Sequence, residues 1–170
     1  GADQQESAGQ QAQPQQAAPA DAAPAAPAPA NGFCKNIITV INNAATALKL
    51  TLKDVKIDVS DTGKYGELGT SERGKAALSV QGNGNVEIEL DGKNELKSGV
   101  LRAGLEKTST GTLTLKDDNQ KAGSLTATGN YNGAGIGGGR EGKGSNVTVS
   151  GAAQVTTTAG KSKDFYYGTG

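Results

Sequence analysis

Residues 129–151 read GNYNGAGIGGGREGKGSNVTVSG. A glycine-rich turn holding one large apolar residue, Ile136, runs into a short alternating strand, Val147-Thr148-Val149. The same apolar beats occur twice upstream without the glycines. Leu78 and Val80 precede Val86, Ile88 and Leu90, and then Leu96; Ala103 and Leu105 precede Leu113 and Leu115, and then Leu125. In the glycine-rich unit, Ala134 and Ile136 precede Val147 and Val149, and then Val155. Leu78, Leu105 and Ile136 lie 27 and 31 residues apart, so the unit is a coil of roughly 25 to 34 residues. Self-similarity at such a period marks a stacked, solenoid-type fold.

Further upstream the pattern loosens. Ile37, Ile38, Ile41, Ala44, Ala45 and Leu48 fall at helical spacing, but Ile-Ile-Thr-Val-Ile-Asn-Asn is rich in β-branched and turn-forming residues. The composition predicts a strand at about 37–41, a turn at Asn42-Asn43 and another strand at 48–52. Leu50-Thr-Leu52 and Val55-Lys-Ile57-Asp-Val59 alternate cleanly, each presenting one apolar face, with Lys53-Asp54 as the corner between them. Asp91-Gly92 also reads as a two-residue hairpin turn, which would make an antiparallel meander. Recurrence at coil length outweighs it, because a meander repeats at about 8 to 12 residues. The expected fold is all-β: a short parallel β-helix of about four to five coils, three short strands to each, over residues 32–170.

Residues 1–31 are a different material. They hold all five prolines, three acidic residues and no basic or large apolar side chain. Such a segment buries too little to offset its ordering entropy, so a disordered Gln/Ala/Pro-rich linker is expected there, its Pro-spaced half a semi-rigid spacer.

The chain carries 17 basic and 17 acidic residues, which argues against a nucleic-acid surface. No run approaches about 18 apolar residues, so no membrane span is expected. Gly accounts for 26 of 170 residues, about twice the usual share, so the core must be thin. With no His and one Cys, Cys34, a His-based triad and the usual zinc sites are unavailable. The chain begins at Gly1 and holds no Met, which reads as a processed or trimmed chain and is compatible with export.

Gly133-Ala-Gly-Ile-Gly-Gly-Gly139, with Gly144-Ser-Asn-Val-Thr-Val149 and a second Gly after it, resembles the repeat of bacterial cell-surface β-helix proteins, some carbohydrate-binding and others adhesin-like. Residues 86–99 and 123–129 fit the same pattern, and the similarity covers about residues 48 to 170. The resemblance implies a right-handed parallel β-helix outside the cell. In carbohydrate-binding members it implies recognition of acidic or cellulosic polysaccharide, sometimes with calcium. It supplies no catalytic motif.

The candidate sites follow. Gly133–Gly138 fits the GxGxxG phosphate cradle, but that motif needs a helix after it and Val147-Thr-Val149 is a strand. A polysaccharide lyase using Lys or Arg as base is a remote alternative, with Arg102, Lys107, Arg140 and Lys143 as cations at coil edges. For calcium, Asp117-Asp118-Asn119 is the densest oxygen group, set against neighbouring lysines that favour a solvated, ion-paired face. Tyr65, Tyr131 and Tyr166-Tyr167 each precede a new coil, so stacking should collect them along one edge. Tyrosines there suit sugar stacking, and Arg140 and Lys143 beside them would attract uronate carboxylates. A non-catalytic glycan-binding module of adhesin type is the first reading, and a purely structural stalk or fibre segment the second. Tyr167-Gly-Thr-Gly170 repeats the opening of Tyr131-Asn-Gly-Ala-Gly135, so either continuation past Gly170 or end-to-end self-association at that coil is expected.

Overall fold

The computed structural model describes residues 32–67 and 69–162. The expectations for the N-terminal linker, for Tyr166 and Tyr167 and for the final coil fall outside those residues. Among the described residues there is no helix. The chain passes three times through each group of three strands and then once more, making four coils. The first holds β1 (Ile38–Asn42), β2 (Leu48–Lys53) and β3 (Lys56–Asp58), and the second β4 (Leu78–Gly82), β5 (Val86–Asp91) and β6 (Lys93–Lys97). The third holds β7 (Leu105–Lys107), β8 (Leu113–Asp117) and β9 (Ser124–Thr128), and the last β10 (Ile136–Gly137), β11 (Val147–Gly151) and β12 (Gln154–Thr158).

Each strand pairs in parallel with its counterpart one coil away. The first sheet is β1-β4-β7-β10, the second β2-β5-β8-β11 and the third β3-β6-β9-β12. Three parallel sheets visited in rotation fit a β-helix or related solenoid. The Asp91-Gly92 dipeptide is therefore a corner, since β5 and β6 lie in different sheets. Gly92 has φ of 63°, and a Cβ there would collide with the Asp54 carboxylate one coil below. Glycine adopts that backbone without strain and lets the Asp54 carboxylate approach without moving aside.

The recurring apolar residues are the register. Ile38 pairs with Leu78, Leu78 with Leu105 and Leu105 with Ile136. In the second sheet Leu50, Ile88, Leu115 and Val149 form one ladder. Period-two alternation turns these residues to one side, where all three sheets contribute to a single core. Leu78, Ile88, Leu90, Leu96, Leu105, Leu113, Leu115 and Leu125 are fully buried, each contributing about 1.5–3 kcal/mol. Towards the terminal strands the same faces open, with Leu48 39% exposed, Val147 38% and Val149 50%.

Two expectations change. Leu125 does pair with Val155, but its neighbour in the second coil is Asn94, while Leu96 pairs with Ile57 and Ala127. The corner after β8 is longer than the single Gly92 after β5, which offsets the count by one inward position. The period also stretches: 40 residues separate Ile38 from Leu78, because residues 59–77 form a long corner. That corner carries an antiparallel bridge, Lys64 to Glu72, and is tied down where the Gly74 amide donates to the Val100 carbonyl.

Candidate functional site

The corner joining the third sheet to the first holds Tyr65, Tyr131 and Arg102 of the singled-out residues. Its layers are residues 59–77, 98–104 and 129–135. Asn130 ties them together. Its side-chain amide donates to the Ser60 carbonyl at 3.1 Å and to the Ser98 carbonyl at 3.3 Å, while its backbone amide donates to Arg102. Its Oδ1 accepts from the Tyr131 amide, and the Tyr131 carbonyl accepts from Leu101. Tyr131 thus stands on a backbone held from below.

Tyr65 comes from the long corner and meets it. The two rings stack with centroids 4.5 Å apart and planes 22° from parallel. Both tyrosines are half-buried. The expected shared edge is therefore formed by these two, although each ring gives one face to the other. Beside them an open cleft of about 330 Å³ lies between Thr128, Asn130 and Tyr131 on one coil and Thr158, Ala159 and Lys161 on the next. Tyr131 lines it and Tyr65 does not.

Arg140 reaches the same corner by way of the glycine run. β10 stops at Gly137, and the chain then leans back over the coil below, where the Arg140 amide donates to the Leu101 carbonyl at 3.0 Å. Gly139 passes so close to the Glu106 carboxylate that a Cβ there would displace it. The run is thus a close-approach segment leading into β11, with no helix behind it among the described residues. Arg140 is exposed, its Nε 3.5 Å from Glu141. Lys143 is exposed and forms no ion pair among the described residues.

The remaining cations behave differently. Arg102 donates from Nε to the Gly74 carbonyl at 2.9 Å and pairs through Nη1 with Glu106 at 2.7 Å. Lys107, expected at a solvated edge, is fully buried. It occupies the inward position above Val80, and its Nζ donates to the Ser109 carbonyl at 2.8 Å. Burial pushes its pKa below the ordinary lysine value. A charge signals the surface in a sequence, but here a lysine is fully buried with its Nζ against the Ser109 carbonyl.

Asp117 is also buried rather than solvated. Its two carboxylate oxygens accept from the Lys121 amide at 3.3 Å and the Gly123 amide at 2.9 Å, closing the corner between the second and third sheets. Asp118 points outward and pairs with Lys116, whose pKa is raised by Asp118 and then by Glu87. Among the described residues no three His, Cys, Asp or Glu side chains converge as a metal ligand set. No described helix is long and apolar enough to cross a membrane.

Asn94, Asn130, Glu106 and Lys75 were not singled out by sequence. Only the register would have found them, since it sets Asn94 beside Leu125 and Glu106 beside Ser79 and brings Lys75 and Asn130 into layers of the same corner. The chain matches no family model, no curated protein and no solved structure.

Proposed function

We propose that the chain is a glycan-binding module without catalytic activity, built as a right-handed parallel β-helix and displayed outside the cell. The observation that carries this reading is the Tyr65–Tyr131 stack beside an open cleft. Two aromatic rings drawn from coils 66 residues apart in sequence meet on one edge, where a sugar ring finds an apolar face and hydroxyl partners in Thr128 and Thr158. The resemblance of the Gly133–Gly139 run to surface repeats supports the same location and ligand class, and the Gln/Ala/Pro-rich segment suits a spacer behind a displayed head. A glycan array tests it. At least one oligosaccharide class is expected to bind with micromolar to millimolar affinity; an array empty at millimolar ligand overturns the reading.

The second reading, a structural stalk or fibre segment, is favoured by the exposed Leu48, Val147 and Val149 on terminal strands. Unpaired strand edges with uncovered apolar side chains template further stacking. Sedimentation at rising concentration separates the readings, since a stalk should associate end to end and bind no sugar.

A further inference from the structure

A second cleft, of about 210 Å³, lies on the outer face of the first sheet. Its floor is a ladder through three coils: Thr39 pairs with Ser79 and Ser79 with Glu106, so hydroxyl, hydroxyl and carboxylate rise in a line at about 4.8 Å per step. Gln81 lies beside them, and Lys75 and Arg102 form the wall contributed by the corner.

The charges decide what fits. Glu106 is nearly closed off, its side chain 5% exposed, and its charge is met by Arg102 at 2.7 Å. Arg102 remains 29% exposed, and two of its five N–H donors are engaged, one by Gly74 and one by Glu106. Lys75 is exposed and has no carboxylate partner among the described residues. Lys75, Arg102 and Glu106 therefore leave the cleft with one uncompensated positive charge. That suits a carboxylate monoanion better than a phosphate dianion, and the neutral hydroxyl and amide lining suits a ring bearing further hydroxyls. Arg140, by contrast, already has Glu141 beside it.

We propose that this cleft is the acidic-sugar subsite of the module: Lys75 and the free edge of Arg102 hold a uronate carboxylate, and Thr39, Ser79 and Gln81 take the ring hydroxyls. The subsite rests on the glycan-binding reading and moves its anion recognition from Arg140 and Lys143 to Lys75 and Arg102.

Calorimetric titration of the full chain with a galacturonate trimer and with the neutral galactose trimer tests it. The acidic trimer should bind about tenfold tighter at low salt, in line with one or two charge-assisted hydrogen bonds, and lose much of that advantage as salt is raised. Lys75→Ala should remove most of the preference. Removing Arg102 alone would strand a buried carboxylate, so the second variant is Arg102→Gln with Glu106→Gln, which keeps a neutral hydrogen-bonding pair. It should fold and keep the net charge of the cleft on Lys75, so it should lose only the part of the preference that the guanidinium edge of Arg102 supplies. If both trimers bind equally and Tyr131→Ala weakens both, the cleft assignment falls while glycan binding stands. The cleft assignment likewise falls if Lys75→Ala leaves the preference intact. If neither trimer binds, this proposal falls, and an empty array takes the glycan reading with it.

Discussion

The two corners that bound the third sheet differ in how many side chains they leave facing outward. Between the second and third sheets the connections are short, with Gly92 alone between β5 and β6. There the side chains turn inward. The Asn94 amide donates to the carbonyls of Leu52, Asp91 and Ser124 and its oxygen accepts from Val55, while Asp117 accepts from two amides. Between the third sheet and the first the connections are longer, and residues 59–77 are the longest. Those segments are held by turns, by cross-coil backbone bonds and by the Asn130 and Arg102 side chains, and they still leave Tyr65, Tyr131 and Lys75 to face outward or line a cleft. A tight corner uses its polar residues to close the fold, and a roomy one can display them.

The sharpest way to break that contrast is Asn94→Leu. Leucine belongs at this inward position by ladder position, since Leu125 occupies it one coil on. If the site only needs packing, the change is neutral. If the amide closes the corner, several buried backbone groups lose partners, and stability should fall by about 2–4 kcal/mol in urea or thermal unfolding. The structure predicts the loss, because Asn94 is 0% exposed and its bonds span three coils.

Lys107 sharpens the comparison from the other side. It too is polar and fully buried, yet its ammonium has the Ser109 carbonyl where Asn94 has four partners. Lys107→Met keeps the stem length and removes the charge, so it should stabilise the protein by about 1 kcal/mol or more near neutral pH. The pH dependence has a definite sign. The folded-state value is lowered and the unfolded chain keeps an ordinary lysine value of 10.5, so between the two the unfolded state binds the extra proton. The parent should therefore gain stability relative to Lys107→Met as pH rises through the lowered value towards about 10.5. A difference between parent and variant that stays flat with pH would mean the ammonium is solvated.

These two residues also mark where the sequence stops being legible. The inward beats could be read because period-two alternation and coil-length recurrence both come from the same stacked geometry, and Leu78, Leu105 and Ile136 pair as their spacing implies. Leu96 slipped by one inward position because corner lengths vary and an inward Asn breaks no visible rule until the neighbouring coil is in place. Lys107 misled because charge ordinarily marks the surface. Part of the candidate site was readable: tyrosines at coil starts do meet at one corner when coils stack, as Tyr65 and Tyr131 do. The clefts were not readable, since one depends on how residues 158–161 lie against residues 128–131 and the other on how residues 74–76 and Arg102 lie against the first sheet, and these corner segments carry no periodic signal.

The smallest expected effect tests whether the roomy corner displays its residues for binding or merely packs them. Tyr65→Ala and Tyr131→Ala remove the same ring pair, so each should cost similar stability, about 0.5–1.5 kcal/mol beyond lost area. Neither should unfold a core drawn from Val, Ile and Leu. Binding should separate them. Tyr131 lines the 330 Å³ cleft with Thr128 and Thr158 and Tyr65 does not, so Tyr131→Ala should weaken binding of the oligosaccharide found by array by about 0.5–1.5 kcal/mol. Tyr65→Ala should weaken it less, acting through the lost support of the Tyr131 ring. Equal stability losses with unequal binding losses would make the corner a recognition surface. Equal losses in both would reduce the tyrosine pair to a clasp holding residues 59–77 against the coils, and would draw the two corners back into a single role.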